Sequence, residues 1–390
     1  MISIKLAIRN LLGAGLRTWL NVIVLSFSFV VIIWMKGLLD GWDRQAKNDM
    51  ISWELGAGQY WQSNYDPNDP FTINDSHDKI PDKWEDLISR GEITPVLIVQ
   101  GTLYPSGRMQ SILIKGIDPA QTILTLPTAA LKNCNEEIKA IIGSAMAGTT
   151  RLKKGDAVTL RWRDKNGAFD AAEIIIADIF DTNVPTVDGS QIWIPIEQLR
   201  KMMLLPDEAT LLVKRNGNGQ IQGSEGWKFQ SQKILLDDID KIIKAKTMSS
   251  VVLWAILLML AMLAIFDTQV LSIFRRQKEI GTYIALGMTR KQVVTLFTME
   301  GAMHAVLAAV IGAIYAVPLL AYQSVAGIAL PVKSSDYGLS MADRLYPEYG
   351  LGLVLSTIII VFLTTALVSY LPSRRISKMR PSEALRGKIQ

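Results

Sequence analysis

The chain has 390 residues, 49% of them hydrophobic and 20% charged, with a formal net charge of +5. That composition lies between a soluble globule and a bundle of membrane spans. A single cysteine, Cys134, excludes an internal disulfide and a thiolate metal cluster, and two distant histidines, His77 and His304, offer little for a hydrolytic triad.

Ile4, Ile8, Leu11 and Leu12 set against Lys5 and Arg9 read as an amphipathic helix over residues 1–18, lying in the headgroup plane or simply extending the first span into the cytoplasm. Four apolar runs, 19–39, 248–274, 293–322 and 350–371, reach the roughly 20 residues that a bilayer crossing takes. Trp19 and Trp34 bracket the first as interface anchors. No convincing small-residue cleavage site follows it, so a retained span is expected rather than a removed signal.

Residues 40–247 have ordinary soluble composition and are expected to form one large mixed α/β insertion between the first two spans. Residues 95–103, 110–116, 157–162, 173–180, 191–194 and 209–214 have the length and β-branched content of strands. Residues 78–90, 136–149, 195–204 and 231–246 read as helices, the last running unbroken into the second span, and Gly-rich 216–226 reads as a surface loop. Gly143-x4-Gly148-Thr-Thr imitates a phosphate loop but lacks its lysine. His77 sits in a polar stretch and is expected to be a solvated turn residue.

The segment 275–292 carries the densest pattern. Ile280, Ile284 and Met288 share one helix face, and Gly281 and Ala285 a neighbouring stripe of missing side chains. Gly287 is expected to stop the helix, and Thr289 with Gln292 has the spacing of a capping box that starts the next. The expected product is a short helix across the membrane surface whose apolar Ile/Met face needs a partner. Within the spans, Asp267 and Glu300 are ionisable, with His304 one turn beyond Glu300. Such groups either hold helices together from inside the bundle or relay protons, and no further polar chain for a relay is evident. A short outer loop, 323–349, joins the last two spans.

Charge sets the orientation. Residues 1–18, 275–292 and 372–390 together hold 14 basic and 2 acidic residues, so the rest of the chain is net acidic. Four spans place these three segments on one side, and the positive-inside rule makes that side the cytoplasm. The insertion is then expected outside the cytoplasm, and the basic excess is topology rather than a nucleic-acid signal.

The run FRRQKEIGTYIALGMTRKQVVTLFTMEG (274–301) resembles the hallmark segment of the MacB/FtsX-type ABC transporter permeases, R-x-x-E-I-G-x-x-x-A-L-G-x-x-x-x-Q followed by F-x-x-E. LPSRRISKMRPSEALR (371–386) is similar to that family's ending, LAIRNL (6–11) to its opening, and IIGSAMAGTTRLKKGDAV (141–158) to a motif of its outer domain. The resemblance implies an α-helical membrane protein of four transmembrane helices, with a large mixed α/β extracytoplasmic domain between helices 1 and 2. It implies a pair of permeases, a second copy or a homologue, working with an ABC ATPase dimer on separate chains. ATP and Mg would sit on that ATPase, with no cofactor, metal or catalytic residue on this chain. The residues carried over as the ATPase-coupling element are Arg276, Glu279, Ile280, Gly281, Ala285, Leu286, Gly287 and Gln292. Asp267 departs from the uncharged polar residue common there in relatives. The resemblance is nearest to the lipoprotein-releasing LolC/LolE group of the bacterial inner membrane, with a periplasmic carrier as a further partner and membrane lipid around the bundle. Peptide or antibiotic efflux, and non-transport control of a cell-wall hydrolase, are the alternatives it leaves open.

Overall fold

The computed structural model describes residues 16–132, 137–217, 223–329 and 344–378. The expected helix over 1–18, most of the loop 323–349, Cys134 and the tail beyond 378 lie outside them. The chain divides into a helical unit, residues 16–42, 243–328 and 346–378, and a sheet unit, residues 43–242 with 329 and 344–345.

Among the described residues, four helices are long and apolar enough to cross a membrane. We label them and the short helix between them α1 (Leu16–Met50), α2 (Asp237–Arg275), α3 (Gln277–Ala285), α4 (Arg290–Ala326) and α5 (Leu351–Ser373). The long helices overrun the apolar runs that seed them. α1 continues past residue 39 and ends in a π-helical turn, Ile51–Leu55. The helix expected over 231–246 is interrupted at Leu236, after a short turn Gln232–Leu235; from Asp237 the helix is continuous.

Inside the helical unit, Leu25, Phe29 and Ile33 of α1 pack with Met262 and Ile265 of α2 and Val361 of α5. α4 meets them through small residues, Ala305, Ala308, Gly312 and Ala316, which let backbones approach closely where lipid removes the usual hydrophobic drive. Side-chain bonds fix the register: Asn21 Nδ2 donates to Thr268 Oγ1 and, at 3.3 Å, to the Ala264 carbonyl, and Ser26 pairs with Tyr315 at 2.9 Å.

Among the described residues from 43 to 242 the sheet unit has eleven strands: β1 (Gly58–Gln62), β2 (Asp78–Lys79), β3 (Ile93–Tyr104), β4 (Gln110–Ile117), β5 (Ile138–Gly143), β6 (Ala157–Arg163), β7 (Phe169–Phe180), β8 (Gln191–Pro195), β9 (Glu208–Ala209), β10 (Leu211–Lys214) and β11 (Trp227–Ser231). Nine of them form one sheet in the order β11-β1-β10-β3-β4-β8-β5-β7-β6. A further pairing of β3 with β6 joins the ends of the last six, so β3-β4-β8-β5-β7-β6 close into a barrel with β10, β1 and β11 as a side extension. β3 makes this possible by changing partner along its length: residues 93–96 pair with β10, residues 101–104 with β6. Gly101 stands at the change, where a Cβ would lie 2.4 Å from the Ile114 side chain. Alternate residues of the barrel strands, among them Leu97, Val99, Ile114, Ile142, Leu160 and Ile174, fill the interior. Full burial of each such side chain stabilises by about 1.5–3 kcal/mol.

Residues 136–149 correct the expectation of a helix. Ile138–Gly143 is a buried strand between β7 and β8, and only Ser144–Thr150 is helical. A short apolar run buried on both faces carries no period-2 signature, so pattern alone does not separate it from a helix. Residues 78–90 likewise break at Pro81 into the strand β2, a 3₁₀ turn and a five-residue helix. His77, expected in solvent, is half-buried and paired with Glu208 at 2.5 Å.

Candidate functional site

α3 is delimited by local chemistry at both ends. At its C-terminus the Gly287 N–H bonds the Ile284 carbonyl at 3.1 Å and the Met288 N–H bonds the Tyr283 carbonyl at 3.0 Å. These are the two bonds of a Schellman motif, and Gly287 takes the left-handed conformation the motif needs, φ +99°. α4 then starts on the expected capping box: Gln292 N–H donates to Thr289 Oγ1 at 3.3 Å, and Thr289 N–H donates to Gln292 Oε1 at 2.8 Å. Gln292 therefore caps a helix. Nothing in its bonding requires a partner chain.

The N-terminus of α3 is held by charge. Arg276 Nη1 donates to both oxygens of Glu300, at 2.8 and 2.9 Å, and Arg276 Nε donates to Glu279 Oε2 at 2.7 Å. Its guanidinium also lies 4.9 Å from the centre of the Phe297 ring. Arg276 and Glu279, read from sequence as coupling residues, and Glu300, read separately as a membrane carboxyl, thus form one cluster. Glu300 is buried and has Arg276 as its counter-charge.

The apolar face of α3 is not free. Ile280 is fully buried with Ile273, Val293, Phe297 and Ile376, and Ile284 and Met288 pack against the same cluster. Gly281 is buried as well. These residues seat α3 on its own chain, which corrects the expectation that an exposed Ile/Met face awaits a partner. The outward surface is different: Glu279, Ala285, Leu286 and Gly287, with Lys278, Arg290 and Lys291 around them. Leu286 is 79% exposed at the apex of the turn. Leu286 is thus a protruding apolar side chain among the exposed bases Lys278, Arg290 and Lys291, on a turn capped at both ends.

Asp267 and Glu300 part company. Asp267 lies on the outer face of α2, without a hydrogen bond or ion pair to any described residue, whereas Gln269 two positions on is buried. The structure therefore does not bring Asp267 together with Glu300 among the buried residues of this chain's helices. Gln269 and Ser369 both press on Gly301, where a Cβ would come within 3.0 Å of each. His304 is buried and donates from Nδ1 to the Gly301 carbonyl at 3.1 Å. Phe297 and Ile376 belong to the site and were not singled out as site residues from sequence, although both fall inside the quoted runs 274–301 and 371–386.

Residues 251–381 match the family model described as FtsX-like permease C-terminal. The matched stretch takes in nearly all of the apolar part of α2, the whole capped turn, α4 and α5, so the Arg276–Glu300 cluster lies wholly within it. The match, over about a third of the chain, makes this stretch similar to the C-terminal part of FtsX-like permeases, and the four apolar helices fit a multi-pass membrane protein. No curated protein matches the chain.

Proposed function

We propose that this chain is the permease subunit of an ABC transporter in the bacterial inner membrane, non-catalytic itself, and that the α3–α4 turn passes the stroke of a separate ATPase dimer to the sheet unit in the periplasm. The observation that carries this reading is Leu286, exposed at the apex of a turn whose other large aliphatic residues, Ile280, Ile284 and Met288, are seated on the chain's own spans. A lone exposed leucine is ordinary on a protein surface; what supports a contact here is its place at the apex of a turn capped at both ends and flanked by the exposed bases Lys278, Arg290 and Lys291. In this reading the Arg276–Glu300 pair makes the turn and α4 move together, so that force on Leu286 reaches the bundle. ATP and Mg are held by the ATPase, and a second permease, copy or homologue, completes the assembly.

The substrate follows the nearest resemblance: lipoproteins, released from the membrane to a periplasmic carrier. The chain assembled with its ATPase in nanodiscs tests the coupling half. Leu286→Glu should remove the permease's stimulation of ATP hydrolysis while membrane insertion and thermal stability stay as in the wild type. Unchanged stimulation would end the assignment of this turn. Mass spectrometry of what co-purifies without ATP tests the substrate half: a triacylated peptide supports lipoprotein release, and bulk phospholipid alone overturns it.

A further inference from the structure

The sheet unit contains a cavity of about 570 Å³, within the usual range of roughly 300–1,000 Å³ for small-molecule sites. One wall is the face of β1, β10, β3, β4 and β8; the π-helical turn 51–55 and the loop at 65–68 enclose it. Trp61, Tyr65 and Trp193 give the lining three aromatic rings, and aliphatic side chains of the strands fill the space between them. Such a lining takes an apolar body.

The polar groups of the lining fix the sign of the rest. Lys115, the one basic residue there, is already committed: its Nζ lies 2.6 Å from Glu54 Oε1 and 5.0 Å from the centre of the Trp193 ring. Glu54 is further bonded by Gln191 Nε2 and Thr186 Oγ1, each at 3.1 Å. Breaking a buried pair of this kind is costly, so Lys115 is not available to meet an anion. Of the acids in the lining, Glu54 is committed to Lys115 and Asp238 bonds Lys241 at 3.2 Å, which leaves the exposed Asp66 as the carboxylate there with no cation beside it among the described residues. Burial, and then the charges of Glu54 and Asp66, push the Tyr65 phenol upward. Gln191 Oε1, buried on the same wall, has no donor among the described residues.

We propose that this cavity binds a cationic amphiphile, a ligand with an apolar or aromatic body and an amine, the body lying against Trp61, Tyr65 and Trp193 and the amine directed to Asp66. Aromatic faces and carboxylates attract the cation together, as the Lys115–Trp193 contact already shows within the protein. An anionic lipid or fatty acid of equal tail length meets the same wall and the wrong charge. The site goes beyond the transport reading and does not depend on it, because every lining residue belongs to the sheet unit.

The test uses the full chain in zwitterionic nanodiscs and a diazirine-bearing octylamine, with cross-linked peptides mapped by mass spectrometry. Labelling is expected at residues 58–68 and 191–195, to be competed by octylammonium and not by octanoate. Asp66→Lys, at an exposed position, should weaken labelling there about fivefold, two changes of a rim charge at about half a kcal/mol each. Leu113→Trp, which fills the cavity, should abolish it. Labelling confined to the spans, equal competition by octanoate, or an Asp66→Lys protein labelled like the wild type would each overturn the proposal. The ATPase assay of Leu286→Glu is read separately, so either reading can fail alone.

Discussion

The Arg276–Glu300 pair can be weighed by a double-mutant cycle of Arg276→Met and Glu300→Gln. Arg276→Met keeps much of the stem that packs over Phe297 and removes the charge, leaving the Glu300 side chain, 8% exposed, without a cation. Removing one partner of a buried pair costs about 3–5 kcal/mol, because the other charge stays behind uncompensated. Glu300→Gln is milder: Arg276 keeps its 2.7 Å bond to Glu279 and is itself 19% exposed, so about 1–3 kcal/mol is expected. Glu279→Gln should cost less than about 1 kcal/mol, since that carboxylate is 53% exposed and screened. The double variant should then cost about 1–3 kcal/mol less than the sum of the singles. Unfolding in mixed micelles, followed by circular dichroism as the denaturing detergent is raised, gives all four values. Singles that add to within about 0.5 kcal/mol would refute the pairing. So would a Glu279→Gln protein as unstable as Arg276→Met.

Two further predictions concern the sheet unit. Gly143→Ala should destabilise it by about 1–3 kcal/mol in thermal denaturation, because the new Cβ would sit 2.3 Å from Asp188 Oδ1 and 2.4 Å from its backbone. Burial raises the Asp188 carboxyl above its ordinary value, against the Ala145 and Ser144 donors. The folded protein therefore binds that proton more tightly than the unfolded chain, so ionised Asp188 subtracts from stability near neutral pH, and the cost fades as pH falls through the raised value. Asp188→Asn, still accepting from the Ala145 N–H, should be at least as stable as wild type at neutral pH and lose stability more steeply on acidification. Parallel melting curves from pH 7 down to about 4 would count against it.

Much of this could be read in the sequence, and the failures share a cause. The two ends of the turn follow from residues within six positions of one another, Gly287 with its Schellman partners and Thr289 with Gln292, so local pattern is enough. Five of the six expected strands appear close to their expected bounds, and the sixth, 209–214, is divided between β9 and β10. The missed elements depend on distant partners. β5 is a strand because β7 and β8 flank it, and the closure of the barrel rests on β3 pairing with β6 some sixty residues later. The same holds in the site. Periodicity put Ile280, Ile284 and Met288 on one face correctly but could not say that Val293, Phe297 and Ile376 would cover it. Arg276 and Glu300 are 24 residues apart, and only the fold of the turn reveals that they meet.

Asp267 carries the last test. It lies eight residues before the end of α2, about 12 Å by helical rise, on a face where Leu260, Leu263 and Phe274 are also exposed. A carboxylate at that depth facing hydrocarbon costs up to about 2.5–3.5 kcal/mol, and among the described residues nothing offsets it. In the isolated chain, Asp267→Asn should therefore favour insertion of the second span, by about 1–2 kcal/mol in a glycosylation-scanning assay on microsomes, and Asp267→Leu by more. Asn21, which bonds Thr268 beside it, should show the opposite: Asn21→Leu loosens α1 from α2 and lowers stability by about 1 kcal/mol. If Asp267→Asn lowers insertion as well, the carboxylate is held from within the chain, and its outward placement on α2 is wrong.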